Sequence, residues 1–332
     1  MRPHGIGPTY SGPTRDRGEP SPPQAVSRRG AHMRARRPAW TAWALAACLL
    51  ASMDAWAASD RVALVFGNAA YSGSAFAPLV NAAKDAKAVA AALKALGFEV
   101  VLVENGDFDR MNRAIDTWGD RLVQAKLGFF YYAGHGFQFE GENWLVPVGT
   151  TLAQDREVKQ KTISLDDVVK KFKTLTARDR SMILVLDACR TPPPLGKRGG
   201  DVGWAAIQAP VGTFVAFATA PGQPDPEGDP KASNGPYAKH LLKRIATPNL
   251  QVEDLFKRVR VDVMQESDGV QQPWDSSSLS GTVVLCDPQH CGPRPPDDPR
   301  CSGENPPLDP CLFGNGQVRR ERSGAIEHER KQ

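Results

Sequence analysis

Residues 181–194 read SMILVLDACRTPPP. Met182 to Leu186 form an unbroken apolar run, the pattern of a strand buried on both faces of a sheet. The run gives way at once to Asp187, Cys189 and Arg190, and the prolines at 192–194 close it off. A core strand that ends on a thiol between opposite charges places reactive chemistry at the carboxyl end of a sheet, where open α/β sheets bind their ligands.

The sequence on either side supplies that sheet. RVALVFG (61–67), FEVVLVE (98–104), LGFFYYAG (127–134) and GTFVAFATA (212–220) read as further strands. Between them, residues 81–96, 108–125, 165–176, 236–246 and 251–266 carry apolar residues at helical spacing. Asn81 is positioned to cap the first of these helices and Gly97 to stop it. FQFEGENWLVPV (137–148) reads as a hairpin turning at Glu140-Gly141, and GTVVLC (281–286) as a last short strand. Strands alternating with helices predict a mainly parallel sheet with helices on both faces and right-handed crossovers. The expected packed domain is 58–287, followed by a proline-rich, cysteine-containing tail at 288–332 that is disordered or stapled by disulfides.

The chain has 332 residues and a net charge of +4, with much of the basic excess in the first 37 positions. No basic stripe with interleaved aromatics is present, so nucleic acid is not an expected partner. Residues 1–57 read as an extension and a secretory signal. Arg34, Arg36 and Arg37 precede a short apolar run, 39–51, and Ala55-Trp56-Ala57 offers a cleavage site, with Met33 as the expected true start. The run is too short for a stable transmembrane span. The mature domain is therefore expected in the periplasm or outside the cell. An alternative reading is a lipoprotein anchored through Cys48 in Leu45-Ala46-Ala47-Cys48. Of the 6 cysteines, Cys286, Cys291, Cys301 and Cys311 cluster near the C-terminal end and permit disulfides in any of three pairings. Zinc is disfavoured because no pair has C-x-x-C spacing. Cys189 is left over, a free thiol in need of an explanation.

His135 supplies one. It closes the strand FFYYAGHG, and a hairpin and a helix separate it from Cys189, enough chain for a crossover between neighbouring parallel strands. An imidazole beside a thiol depresses the thiol's pKa or accepts its proton, and then protonates a leaving amine. Gly136, lacking Cβ, lets its N–H approach a tetrahedral oxyanion, with the N–H of Cys189 as second donor. No orienting acid is evident, which makes the pair a dyad.

At these residues the sequence resembles the caspase–metacaspase family of cysteine peptidases, in its bacterial caspase-like branch. Asp187-Ala188-Cys189-Arg190-Thr191 is similar to the caspase signature at alanine, cysteine and arginine and departs from it at Asp187 and Thr191. YYAGHG, ALVFGNAAY, FATAPGQ and QQPWDSSSLSG resemble further family blocks. The resemblance implies a caspase-like three-layer α/β/α sandwich with a mainly parallel six-stranded sheet, and His135 and Cys189 as catalytic residues. It implies protein or peptide substrates cut after Arg or Lys, because metacaspases also carry aspartate at the Asp187 position and an acid near Asp85. A carboxylate pairs with a guanidinium in bidentate fashion. Both acids have a structural alternative, Asp187 as a holder of loop amides and Asp85 as an exposed helix charge. The resemblance also implies a processed loop after the nucleophile, where Lys197-Arg198 offers a basic site for self-cleavage. The chemistry requires no cofactor. Calcium, which activates many metacaspases, would find acids at Asp225, Glu227 and Asp229. The alternative from another class is a non-catalytic caspase-like binding domain. A nucleotide-binding or other hydrolase fold lacks support, since no P-loop, G-x-G-x-x-G or G-x-S-x-G stands after a strand.

Overall fold

The computed structural model describes residues 59–291 apart from 73–75, 176–179, 191–194, 196–203, 206, 208 and 221–227, with backbone alone at 173–175 and 189–190. The first strand, β1 (Arg61–Gly67), is buried at every position. It lies between β2 (Glu99–Glu104) and β3 (Leu127–Phe139), parallel to both. β3 is followed laterally by β6 (Ser181–Arg190), β7 (Thr213–Phe217) and β8 (Trp274–Ser277), giving the row β2-β1-β3-β6-β7-β8. All pairs in this row are parallel except β7–β8. β4 (Glu142–Leu145) and β5 (Ile163–Ser164) extend the end of β3 and complete an eight-stranded mixed sheet. The six-stranded, mainly parallel row is therefore present, with an antiparallel edge and a hairpin added.

The period-2 alternation of the strands divides the core into two layers. Ala63, Val65, Phe129, Tyr131, Ile183 and Val185 face one side. There they meet the apolar stripes of α1 (Ala82–Ala95), α5 (Pro236–Ile245) and α6 (Val252–Glu266). Leu64, Phe66, Phe130, Tyr132, Leu184 and Leu186 face the other side, against α2 (Phe108–Leu122) and α4 (Leu165–Leu175). Asp107 starts α2 by accepting the N–H of Arg110 at 2.8 Å. Trp118 of α2 meets Phe172 of α4 edge-on at 4.4 Å between centroids. Such a pair contributes about 1 kcal/mol beyond the area it buries. A single turn, α3 (Val158–Lys161), leads into β5.

The hairpin forms where the sequence places it. Glu140 and Gly141 have φ of 52° and 79°, the two left-handed residues of a tight two-residue turn. Gly97 ends α1 with φ 79°. Asn81 occupies the N-cap position but makes no side-chain capping hydrogen bond. The expected last strand, 281–286, is a correction. Only Val284 pairs, in an isolated bridge to Gln251, while the ladder to β7 is made by Trp274–Ser277. Val283 and Leu285 are buried as core residues without belonging to a strand.

After that bridge the chain closes on the amino-terminal end of the sheet. Arg61, 6% exposed, donates to the carbonyl oxygens of Leu285 and Val284 and pairs with Asp287. Cys286 and Cys291 form a disulfide across the short turn α7 (Pro288–Cys291). Cys301 and Cys311 lie outside the described residues, as do the signal segment, Cys48 and Lys197-Arg198. No helix among the described residues is long and apolar enough to cross a membrane.

Candidate active site

The adjacency expected of the two reactive strand ends is realised in the sheet. β3 and β6 are neighbours, and their register makes His135 and Cys189 direct backbone partners, with Ala133 opposite Asp187 and Gly136 opposite Arg190. Neighbouring strands lie about 4.8 Å apart. The imidazole-bearing and thiol-bearing residues are thus held at one level by a rigid ladder rather than by loops.

His135 is 3% exposed, and its position is fixed at both backbone and ring. Its N–H donates to the Tyr71 hydroxyl at 3.1 Å, and its carbonyl accepts the Tyr132 hydroxyl at 2.7 Å and the Val146 N–H at 3.0 Å. The ring meets Tyr71 edge-on at 4.6 Å and Phe76 at 5.5 Å between centroids. Nε2 lies 2.7 Å from the carbonyl oxygen of Ala77. A carbonyl can only accept, so Nε2 carries the proton and Nδ1 is the basic atom of this tautomer. Burial lowers the imidazole's pKa, against the raising effect of the Ala77 bond. One group that orients the ring is therefore a main-chain oxygen, which no residue type advertises.

Gly136 has a packing reason to be glycine. A Cβ there would stand 2.3 Å from Cη2 of Trp204 and 3.2 Å from the carbonyl oxygen of Trp144. Trp204, 4% exposed, belongs to the chain that follows β6 and also packs on Phe217 at 6.1 Å between centroids.

The charges of the two acids both act on one phenol. Tyr131, fully buried on β3, donates to Asp187 Oδ2 at 2.6 Å. Its pKa is pushed well up, first by burial and then by the charges of Asp187 and Asp85, so the hydroxyl remains a donor. Asp85 is 4% exposed on the first turn of α1, which overturns its alternative as an exposed helix charge. Its Oδ1 accepts the side-chain amide of Asn234 at 2.8 Å and the N–H of Gly235 at 2.9 Å. Burial raises its pKa, against the lowering effects of Asn234, Gly235 and Lys84. Neutral donors thus meet each carboxylate, and the charges of both act on the Tyr131 hydroxyl. Asn234 and Gly235 were not singled out in the sequence. The Asn-Gly-Pro run before a helix is the signal that could have found them.

Asp225 and Glu227 lie outside the described residues, and Asp229 Oδ1 accepts the N–H of Lys231 at 2.8 Å. Among the described residues no group of three or more His, Cys, Asp or Glu side chains is placed to hold a metal ion.

Comparison with known proteins gives a consistent answer. The profile of the peptidase C14 family, described as the caspase domain, matches residues 60–284. A segment of 94 residues is 36% identical to the mucosa-associated lymphoid tissue lymphoma translocation protein 1 homolog of Mus musculus, covering 27% of this chain and 11% of that protein. The Homo sapiens protein matches at 36% over 93 residues, with the same shares of 27% and 11%. The matched segment is thus a small fraction of these curated relatives. Caspase-1 from Spodoptera frugiperda superimposes with a TM-score of 0.50 at 16% identity, over 69% of this chain and 91% of that one. The structure of pro-sf-caspase-1 gives 0.51 at 16%, over 70% and 93%. At such identity the likeness is one of fold.

Proposed function

Because the chain belongs to the caspase-domain family of cysteine peptidases, we propose that it is a cysteine-type endopeptidase with Cys189 as nucleophile and His135 as acid–base group. The observation that carries this reading is the register that makes the two residues partners across β3 and β6. His135 takes the Cys189 thiol proton at Nδ1, the resulting thiolate adds to the scissile carbonyl carbon, and the carbonyl electron pair moves onto oxygen. The N–H groups of Gly136 and Cys189 are the proposed donors to that oxyanion. As the C–N bond breaks, protonated His135 passes its proton to the leaving amine. Water then adds to the thioester while His135 accepts its proton. Collapse expels the Cys189 thiolate and leaves a free carboxyl on the substrate. The bond from Nε2 to Ala77 keeps that nitrogen protonated and leaves Nδ1 to gain and lose the proton.

The substrate residue before the cut is proposed to be Arg or Lys. Asp187, bonded to Tyr131, and Asp85, whose charge also acts on that hydroxyl, would receive its charge in a site where water competes poorly. Every proton and electron pair in this sequence comes from the two side chains, the substrate and water. The apolar segment at 39–51 and the Cys286–Cys291 disulfide support action in an oxidising compartment outside the cytoplasm.

The test is a set of short peptide amides differing only in the residue before the cut, assayed with calcium and with a chelator. Turnover after Arg or Lys that disappears in Cys189→Ala and in His135→Ala is expected. Turnover after Asp overturns the assignment of Asp187 and Asp85. Absence of turnover in both conditions, with peptide binding retained, replaces the enzyme by a binding domain. Fragments ending near Lys197-Arg198 that form in the parent but not in Cys189→Ala would extend the same specificity to self-processing.

A further inference from the structure

The first turn of α1 grips a loop instead of capping itself. Asn81 Oδ1, in the N-cap residue, accepts Lys84 Nζ at 3.2 Å. The same Nζ donates to the carbonyl oxygens of Pro230 and Ala232, each at 3.2 Å. Three oxygens from two chain segments thus surround one ammonium, matching its three N–H donors. The next residue engages the same loop with the opposite charge, since Asp85 Oδ1 takes the amides of Asn234 and Gly235. One helical turn therefore offers a cation to the carbonyls of the loop and an anion to its N–H groups.

The loop is shaped to receive both. Asp229 turns it, accepting Lys231 N at 2.8 Å through Oδ1 and Ala232 N at 3.0 Å through its carbonyl. Gly228 has φ 76°, and a Cβ there would stand 2.8 Å from Cδ of Pro236, so the segment doubles back on the start of α5. With the turn closed, Asn234 and Gly235 stand against Asp85. Each bond of Lys84 is weak on its own, being near solvent. Three that converge on one atom act as a geometric restraint. A point-like ammonium suits the cage, whereas the planar fork of arginine does not.

We propose that Lys84 is a positioning residue, a tethered cation that closes the 228–235 loop onto α1 and so sets Asn234 and Gly235 against Asp85. Its effect on substrate rests on the peptidase reading given above; the closure of the loop does not. In the full chain, Lys84→Met is compared with Lys87→Met, which makes the same charge change on α1 at a residue paired with Glu104. Two readouts are taken. Amide hydrogen exchange at Lys231, Ala232 and Gly235 is expected to quicken about tenfold in Lys84→Met only, the size of one charge-assisted hydrogen bond. KM for an Arg-containing peptide amide is expected to rise about tenfold with kcat unchanged, again in Lys84→Met only. Unchanged exchange overturns the proposal. Faster exchange with unchanged KM in an active protein overturns the link to the pocket. If the parent protein shows no peptidase activity, the reading of the site has failed, and the exchange data alone decide whether Lys84 closes the loop.

Discussion

His135 owes its chemistry to where its ring is kept. Buried and committed through Nε2 to Ala77, it has a pKa below its usual value near 6.5. The sign for stability follows from proton counting. Below the unfolded pKa the unfolded chain binds the proton more readily than the folded one, so this contribution is complete above about pH 6.5 and is lost as pH falls below it. A ring-proton titration should place the His135 midpoint below 6.5, and His135→Gln should flatten the acid-side decline in unfolding free energy. Tyr131→Phe removes one donor to Asp187 while keeping the ring. It should lower the unfolding free energy by about 2 kcal/mol in denaturant titrations and raise KM for basic substrates. Residue placement was legible where the residue type is unusual. A thiol and an imidazole at strand ends announce themselves. The Ala77 carbonyl does not, because every residue has one. Asp85 was legible as an acid but not as a buried one, since Lys84 and Lys87 beside it give the stretch the look of a solvated face.

Among elements, the parallel strands were legible because burial on both faces leaves a run of apolar letters, as in β1 and β3. β8 was not. An edge strand has one ladder neighbour and partly exposed side chains, so Trp-Asp-Ser-Ser carries no apolar pattern. The apolar letters of 281–286 misled for the converse reason. Val283 and Leu285 fill the core beneath the helices while their backbone makes a single bridge. The contact between β3 and the chain after β6 gives an element-scale prediction. Gly136→Ala should force Trp204 out of its place, visible as a red-shifted tryptophan emission and a loss of activity larger than the loss of stability. Loss of activity without a change in emission would show that the glycine serves the backbone alone.

For the molecule as a whole, the sheet is closed at its amino-terminal end by Arg61, Asp287 and the Cys286–Cys291 disulfide. Replacing both cysteines by serine should cost about 2 kcal/mol, the loop-closure value for so short a ring, read as a lower melting temperature than that of the oxidised protein. Arg61→Ala should cost a similar amount, about 2–3 kcal/mol, because the Leu285 and Val284 carbonyls and Asp287 lose a charged donor together. The clasp also decides how the domain can be handled. Residues 59 and 291 leave from one pole. The level of His135 and Cys189 lies eight residues further along the strands, about 26 Å away at a strand's rise per residue. A resin, a fluorophore or a fused carrier joined at either residue therefore stands clear of the reactive end. The same geometry admits a circular permutant, joined from 291 to 59 and opened at the Glu140-Gly141 turn.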